Sequence, residues 1–374
     1  MRTIDVDVSG DASESFEPLV NVFARTVAYT GGRGASLAVY RGGEKVVDLI
    51  GGDYQADSLQ LQFSVSKLVT AITAAHAGAR GLLDVDEPIS AFWSAFDRER
   101  TRQITARMVL SHTAGLAGIS TELTLEQLLA GQYLREIERQ DPYWEPGSRP
   151  GYHAFAFGAL MDEIFRRRVG SSVGDYFDAE IRKPLGLEVW FGAPQEELSR
   201  VMPFIRDFDG RTPLARALPG LRTFVDNGAR SVSEGDHAAA NRPDVLMQGW
   251  PNRNVVATSR DLARLLASTL GTVDGHRVLS ESTRDAMVRQ QSAGVDWVLR
   301  YPIRFGTGVQ LPFPQLTFTG PNSFGHQGGG GCVAFADIDR DIAVAYSTDA
   351  FPPCFGASLH AVAMFSTIQH LCDN

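Results

Sequence analysis

The pattern of hydrophobic and polar positions predicts similar elements near the two ends of the chain. Near the N-terminus, apolar residues at helical spacing predict an amphipathic helix over residues 14–28, and apolar runs at 35–40 and 45–50 around a glycine turn predict a β-hairpin. Near the C-terminus, apolar runs at 331–338 and 342–347 predict two more strands, and a final amphipathic helix follows them. Both ends therefore contribute antiparallel strands to one predicted sheet, which the terminal helices flank.

The middle of the chain is predicted to be mainly helices and loops. Helical patterns cover 67–81, 106–112, 154–168 and 261–270, a further strand is predicted at 306–311, and 205–250 is predicted to be irregular. We therefore predict an α/β fold in which residues 1–66 and 285–374 form the sheet domain. A mostly helical domain, residues 67–284, is inserted into it, and we expect the active site between the two.

Composition and charge narrow the functional class. The chain has 374 residues, of which 44% are apolar and 21% charged, which is typical of a globular protein with a large core. A net charge of -9 argues against binding to nucleic acid, because phosphate contacts need a basic face. The sequence shows no pattern of a signal peptide, a transmembrane helix or a metal site. We expect a cytoplasmic protein with reduced thiols that acts on a small molecule without metal or cofactor.

Lysine is rare in this chain, and one lysine lies in a candidate catalytic motif. Only Lys45, Lys67 and Lys183 occur among the 35 basic residues, and lysine, unlike arginine, can lose its proton in a suitable site. Ser64 and Lys67 form the chain's single S-x-x-K, where helical spacing puts both side chains on one face. A serine at a helix N-terminus with a neighbouring amine suits nucleophilic catalysis. The alternative is a helix-capping serine beside a solvated lysine.

Two glycine-rich segments carry further candidate chemistry. The run PGSRPGYHA at 146–154 would hold Tyr152 rigidly at a helix entrance, where nearby cations would favour its action as a base. The alternative is a tyrosine that is only half-buried there. The run FGHQGGGG at 324–331 precedes a strand, and its glycines let the backbone approach a ligand and donate to an oxyanion. His326 in this run would orient the substrate or donate a hydrogen bond. The alternative is that the glycine run is only a flexible entrance to the strand.

The order of these motifs resembles the serine β-lactamase and penicillin-binding-protein superfamily, and most of all the class C β-lactamases, DD-peptidases and family VIII carboxylesterases. Supporting stretches at 104–116, 184–187 and 258–265 extend the resemblance over most of the chain. The resemblance implies a β-lactamase/transpeptidase-like fold and a set of site residues: the nucleophile Ser64, the proton-shuttling Lys67, the base Tyr152, the oxyanion donors Ser64 and Gly329, and His326, Gln327 and Gly328 in place of a substrate-binding Lys-Thr-Gly.

Two departures from the family pattern bear on the substrate. The Tyr-x-Asn position reads Tyr152-His153-Ala154, so the asparagine that helps to bind β-lactam and peptide amides is absent. His326 replaces a lysine and is largely neutral at pH 7, so it would recognise a substrate carboxylate more weakly than a cation would. Both departures favour a carboxylesterase for short uncharged acyl esters. The alternatives are a β-lactamase, a D-amino-acid peptidase or amidase, an acyltransferase and, last, a non-catalytic binding protein.

A second serine motif is predicted to be structural. The segment 170–174 matches G-x-S-x-G, the nucleophile turn of α/β-hydrolases, but that motif needs a strand before it. A helix is predicted there instead, so Gly170 is expected to end that helix and Ser171 or Ser172 to cap the next one. His112 is expected to support its loop.

Overall fold

The computed structural model describes residues 6–30, 33–205, 239–314, 316–350 and 358–374. Its strands are β1 Val8–Ala12, β2 Gly34–Arg41, β3 Glu44–Gly52, β4 Gln60–Leu61, β5 Val189–Phe191, β6 Val255–Ala257, β7 Ser292–Val295, β8 Pro302–Phe305, β9 Ser323–Gln327, β10 Val333–Asp337 and β11 Ile342–Thr348. Its α-helices are α1 Pro18–Thr30, α2 Val65–Ala79, α3 Ala106–Leu110, α4 Leu125–Leu129, α5 Gln132–Arg139, α6 Ala156–Arg168, α7 Val173–Phe177, α8 Lys183–Leu185, α9 Pro243–Leu246, α10 Ser259–Leu270, α11 Glu281–Val288 and α12 Leu359–Asp373.

The main sheet joins the two ends of the chain, as the hydrophobic pattern predicted. Its six strands lie in the order β1-β3-β2-β11-β10-β9, and every neighbouring pair is antiparallel. Helices α1 and α12 pack together over one face, and α2 and α10 pack on the other. Because helices cover both faces, every residue of β10 and β11 is buried, which explains their continuous apolar runs.

The predicted helices are confirmed, with ends shifted by a few residues. The helix predicted at 67–81 is α2, that at 154–168 is α6, and that at 261–270 is α10. The helix predicted at 14–28 is a short 3-10 turn followed by α1. Of the segment predicted to be irregular, residues 206–238 lie outside the described residues, as does Cys354.

Two strand assignments differ from the structure. Strand β1 was not predicted, because its residues, VSGDA, are mostly exposed and carry no apolar alternation. The strand predicted at 306–311 is wrong: Gln310 alone forms bridges, while β8 ends just before it. Gly308 has a φ of 84° and a Cβ on it would lie 2.6 Å from Ala71, so this segment turns tightly against α2 instead of extending.

Helix α2 links two parts of the apolar core. Its first turns, including Val65 and Leu68, pack in the core between the sheet and α10, and its later residues Ala74 and Ala77 pack among α3, α5 and α6. Helix α2 therefore runs from the sheet into the helical part of the molecule. The domain boundaries at 66/67 and 284/285 stay a prediction. Within the described ranges, no helix is both long and apolar enough to cross a membrane.

Candidate active site

Ser64 lies at the N-terminus of α2, immediately after a strained residue. Phe63 has a φ of 46°, an uncommon conformation for a bulky residue, and it turns the chain sharply between β4 and α2. Ser64 occupies the N-cap position but makes no capping hydrogen bond through its side chain. Instead, Lys67 Nζ lies 3.3 Å from Ser64 Oγ and donates a hydrogen bond to it. The structure thus places the two side chains together, as the S-x-x-K spacing predicted.

Lys67 is buried and is held by backbone oxygens. Its Nζ donates to the carbonyl oxygens of Ala154 and Asn252, each at 3.0 Å, and the residue is only 1% exposed. No acidic side chain is paired with it among the described residues. Burial, together with the positive charge of Arg253, lowers the pKa of Lys67 well below its usual value. These surroundings favour an amine that can exist in the neutral form and accept a proton.

Tyr152 lies next to both Ser64 and Lys67. Lys67 Nζ is 4.9 Å from the centre of the Tyr152 ring, and the tyrosine is buried. Burial raises the pKa of Tyr152 above its usual value, and a hydrogen bond with Ser64 offsets part of that increase. The phenol therefore stays protonated near neutral pH. Ser64, Lys67 and Tyr152 form one contiguous group.

Residues outside the predicted site hold the loop that carries Tyr152. His112 accepts hydrogen bonds from the N–H of Gly151 through its carbonyl oxygen at 2.9 Å and from the N–H of His153 through Nδ1 at 3.1 Å. Its ring centre is 4.7 Å from that of Tyr152. The backbone N–H of Tyr152 itself donates to the Asp296 carboxylate. His112 thus supports the Tyr152 loop as well as its own loop. Nothing in the local sequence pattern indicated that Asp296 would hold the Tyr152 loop.

The replacement of lysine by His326 leaves a neutral ring in the site. His326 is fully buried on β9, its ring centre is 6.2 Å from that of Tyr152, and its Nδ1 donates to the carbonyl oxygen of Gln327 at 2.8 Å. Burial and the positive charge of Lys67 lower the pKa of His326 to about 3. Gln327 donates its backbone N–H to Gln310 Oε1 at 3.1 Å. The predicted neutral state of the imidazole agrees with this burial.

The glycine turn lies against the segment that carries Ser64. Gly328 donates to the carbonyl oxygen of Cys332 at 2.7 Å, and a Cβ on Gly328 would lie 2.4 Å from the carbonyl oxygen of Gln62, so only glycine permits this approach. Gly329, the next residue, is half-buried. In the described part of the chain, neither its N–H nor that of Ser64 donates to a protein acceptor. Both are therefore available to a ligand.

In the second serine motif, residues 170–174, the side chain of Ser172 caps a helix. Gly170 follows α6 with a φ of 91°, and Ser172 is the N-cap of α7, as predicted for one of the two serines. Ser172 Oγ accepts the N–H of Asp175 at 3.0 Å and donates to the Asp175 carboxylate at 2.5 Å. Among the described histidines, cysteines and carboxylates, no group of three is arranged to hold a metal ion.

The comparison with known families decides the assignment. A family model described as Beta-lactamase matches residues 19–367. The chain belongs to the β-lactamase family. The predicted family resemblance and fold are thereby confirmed, and the protein is a serine hydrolase.

Individual relatives of this β-lactamase-family chain carry both esterase and penicillin-binding names. It is 30% identical over 356 residues to "Esterase/beta-lactamase LipL" of Mycobacterium tuberculosis. The aligned region covers 90% of this chain and 82% of LipL. A penicillin-binding protein homologue from Caulobacter crescentus has a TM-score of 0.87 at 28% identity, covering 98% of this chain and 100% of that one. EstA from Arthrobacter nitroguajacolicus Rue61a has a TM-score of 0.87 at 27% identity, covering 98% of both chains.

Proposed function

We propose that this protein is a carboxylesterase that hydrolyses short, uncharged acyl esters through an acyl-enzyme on Ser64. The observation that carries the proposal is the placement of the Ser64 hydroxyl 3.3 Å from the buried amine of Lys67, with Tyr152 against both. A hydroxyl becomes a nucleophile when a positioned base removes its proton. The esterase named among the relatives agrees with this chemistry.

In the proposed first step Lys67 is neutral, so its two N–H groups donate to the carbonyl oxygens of Ala154 and Asn252 and its lone pair faces Ser64 Oγ. Ser64 Oγ attacks the ester carbonyl carbon, and its proton passes to this lone pair. The lowered pKa of Lys67 and the raised pKa of Tyr152 favour Lys67 as the base that accepts this proton. The tetrahedral oxyanion accepts hydrogen bonds from the N–H groups of Ser64 and Gly329. When the C–O bond breaks, the leaving alkoxide takes a proton from Tyr152, and Lys67 returns one to the phenol.

Deacylation repeats the sequence with water as the nucleophile. Lys67 removes a proton from the water, which attacks the acyl carbon, and the bond to Ser64 Oγ breaks. Ser64 then recovers its proton, and a carboxylic acid is released. No cofactor is needed in any step.

The substrate class follows from two side chains in the site. A cation or a dense set of donors is what usually holds a substrate carboxylate, and His326 supplies a buried neutral ring instead. Ala154 contributes only its backbone carbonyl, which already accepts from Lys67, and has no amide for a β-lactam or peptide group. An ester without a carboxylate does not need the cation that His326 replaces or the amide that Ala154 lacks, so neither replacement weakens its binding.

One screen tests the proposal against its main alternatives. Turnover is measured for p-nitrophenyl esters of increasing acyl length beside nitrocefin and a D-Ala-D-Ala peptide, with Ser64→Ala as the control. We expect the short esters to give the highest kcat/KM and Ser64→Ala to give none. A higher kcat/KM for nitrocefin or the peptide would replace the esterase by a β-lactamase or peptidase.

A single substitution tests the proposed selectivity. His326→Lys restores a cation, and we expect it to raise the ratio of nitrocefin to p-nitrophenyl ester turnover, because a charged partner attracts the carboxylate. His326→Gln, which stays neutral, is the matched control and should leave the ratio near that of the original protein. An unchanged ratio in His326→Lys would show that another residue sets the selectivity.

A further inference from the structure

Phe204, an aromatic residue outside all the motifs, packs against residues adjacent to both candidate oxyanion donors. The ring centre of Phe204 lies 5.0 Å from that of Phe63, and a Cβ on Gly330 would lie 2.6 Å from two atoms of the Phe204 ring. Phe63 immediately precedes Ser64, and Gly330 immediately follows Gly329. One ring therefore contacts the chain neighbours of both backbone donors.

The contact with Phe63 matters because the backbone of Phe63 is strained. A phenylalanine with a φ of 46° stays in that conformation only when its surroundings hold it there. The Phe63 ring contacts both the Phe204 ring and the Arg253 guanidinium, whose central carbon is 4.9 Å from the Phe63 ring centre. Since the backbone angles of Phe63 orient the next peptide, packing that holds this conformation also affects the direction of the Ser64 N–H.

The contact with Gly330 matters because Gly329, in the middle of the glycine turn, is less closely packed than Gly328 and Gly330 on either side of it. Among the residues that the structure describes, a Cβ on Gly329 would meet nothing within 4 Å, so no described neighbour fixes the middle of the turn from that side. At Gly330 the Phe204 ring lies directly against the backbone, and the missing Cβ leaves the room for it. The ring thus limits how far the turn can move relative to Phe63.

Phe204 is itself fixed by the side-chain amide of Asn241. Asn241 Oδ1 accepts the N–H of Phe204 at 2.9 Å, and Asn241 Nδ2 donates to the Phe204 carbonyl oxygen at 2.9 Å. The N–H of the next residue, Ile205, donates to the carbonyl oxygen of Asp349 at 2.9 Å. Phe204 is 3% exposed, so its ring is buried as well as anchored.

We propose that Phe204, held by Asn241, is a positioning residue that sets the spacing between the Ser64 and Gly329 N–H donors. The inference rests on the proposed function, because it assumes that these two groups bind the oxyanion. Stabilisation of an oxyanion depends on donors within about 2.7–3.1 Å of its position, so a small displacement of one donor weakens it. Removal of one donor typically lowers kcat by about 10²–10³. Loss of the Phe204 ring should displace a donor and have a smaller effect in the same direction.

The first experiment compares Phe204→Ala and Phe204→Leu with the original protein. Phenylboronic acid is the probe, because its boron forms a tetrahedral anion with a serine hydroxyl and places an oxygen in the oxyanion hole. We expect Phe204→Ala to lower kcat on p-nitrophenyl butyrate by about tenfold or more, with KM changed less than about threefold. The inhibition constant of phenylboronic acid should rise by a factor similar to the fall in kcat/KM. Phe204→Leu, which keeps part of the volume, should give intermediate values.

The second experiment tests the amide. Asn241→Ala removes both hydrogen bonds to the Phe204 backbone but leaves the ring in the chain, so we expect a smaller loss of kcat and of boronic acid affinity. Because both residues act through one contact, the double variant Phe204→Ala/Asn241→Ala should lose little more than Phe204→Ala alone. Losses that multiply fully would show that Asn241 does not act through Phe204.

A matched control separates positioning from loss of stability. Leu246 belongs to the same apolar cluster as Phe204, but the atoms nearest to Gly330 belong to Phe204 and Phe63. Leu246→Ala should lower the unfolding temperature as Phe204→Ala does, yet keep the original boronic acid affinity. Active sites are counted by fluorophosphonate titration, so that unfolded protein does not lower the apparent kcat.

The outcomes distinguish this inference from the function on which it rests. If Ser64→Ala abolishes turnover while Phe204→Ala keeps the original kcat and boronic acid affinity per active site, Phe204 is structural and the inference alone is wrong. If Leu246→Ala weakens boronic acid binding as much as Phe204→Ala does, the effect is general and the inference is again wrong. If Ser64→Ala keeps its turnover, the proposed function and the inference fail together.

Discussion

Ser64 and Ser172 are both N-cap residues of helices, and the hydrogen bonds of their hydroxyls differ. Ser172 at the start of α7 uses its hydroxyl to cap the helix and to bond Asp175, an acidic residue of the first turn. Ser64 at the start of α2 makes no such cap, α2 has no acidic residue in its first turn, and its hydroxyl accepts from Lys67. The comparison teaches that helix α7 uses the hydroxyl of Ser172 as a cap, whereas helix α2 leaves the hydroxyl of Ser64 available for the proposed chemistry.

The lysines show the same contrast. Lys45 and Lys183 lie near the surface and pair with Asp48 and Asp178 at 2.8 Å and 2.7 Å. Lys67 is buried and contacts two carbonyl oxygens and a hydroxyl, and no carboxylate in the described part of the chain pairs with it. An exposed ion pair contributes little free energy, whereas a buried amine changes the chemistry of its neighbours.

The largest expected effect separates the two serines directly. Ser64→Ala should lower kcat on a p-nitrophenyl ester by at least about 10⁴-fold, because the nucleophile is lost, while Ser172→Ala should keep it. A fluorophosphonate probe followed by peptide mass spectrometry should label Ser64 and leave Ser171 and Ser172 unmodified. Labelling confined to residues 170–174 would show that the nucleophile lies in that motif and not at Ser64.

The next effect tests whether Lys67 and Tyr152 act as one unit with Ser64. Lys67→Ala and Tyr152→Phe should each lower kcat by about a hundredfold or more, since positioned acid–base groups contribute that much. The double variant should fall little further, because groups that act together are not additive. Lys183→Ala, which removes a surface lysine, is the control and should keep full activity. If the two losses multiply, or Tyr152→Phe turns over normally, Tyr152 is structural.

Lowering the pH should reduce the free energy of unfolding, because histidines near Ser64 are buried in the neutral form. Burial lowers the pKa of His153 to about 4, below the value near 6.5 in an unfolded chain. Between these values the unfolded state binds the proton and the folded state does not, so stability falls as the pH falls. At pH 5 this amounts to about 2 kcal/mol for one histidine.

The measurement is the free energy of unfolding in urea between pH 7 and pH 5. His153→Gln should be less stable at pH 7 but should lose about 2 kcal/mol less on acidification than the original protein, since glutamine does not titrate. The surface variant His370→Gln is the control and should lose as much as the original protein. Equal losses for all three proteins would contradict the burial of a neutral His153.

The smallest expected effect concerns stability of the two helix starts. Ser172→Ala removes a capping hydrogen bond and should destabilise the protein by about 1 kcal/mol. Ser64→Ala removes no cap, so it should cost less and stay folded. Thermal unfolding of both variants beside the original protein measures the difference. A larger loss for Ser64→Ala would mean that its hydroxyl has a structural role.

Much of the fold was predictable because it depends on local periodicity. Helix α10 has apolar residues at helical spacing and a threonine N-cap, and strands β10 and β11 are continuous apolar runs, so their identity does not depend on distant partners. Strand β1 was missed because an exposed edge strand gains its order from pairing with β3 rather than from burial. The predicted strand at 306–311 was wrong because close packing of Gly308 on α2 outweighs an apolar pattern.

The features of the candidate site also fall into two groups, those that local spacing predicts and those that depend on distant contacts. The sequence by itself determined that Ser64 and Lys67 share a face, because three residues on a helix make nearly one turn, and that the glycine run at 328–331 can approach another backbone. Only the tertiary structure decided that Tyr152 meets this pair, that His112 and Asp296 hold its loop, and that Phe204 lies against Phe63 and Gly330. The physical reason is that these contacts join segments far apart in the chain. Burial by the whole fold, rather than any local pattern, also lowers the pKa of Lys67 and keeps His326 neutral.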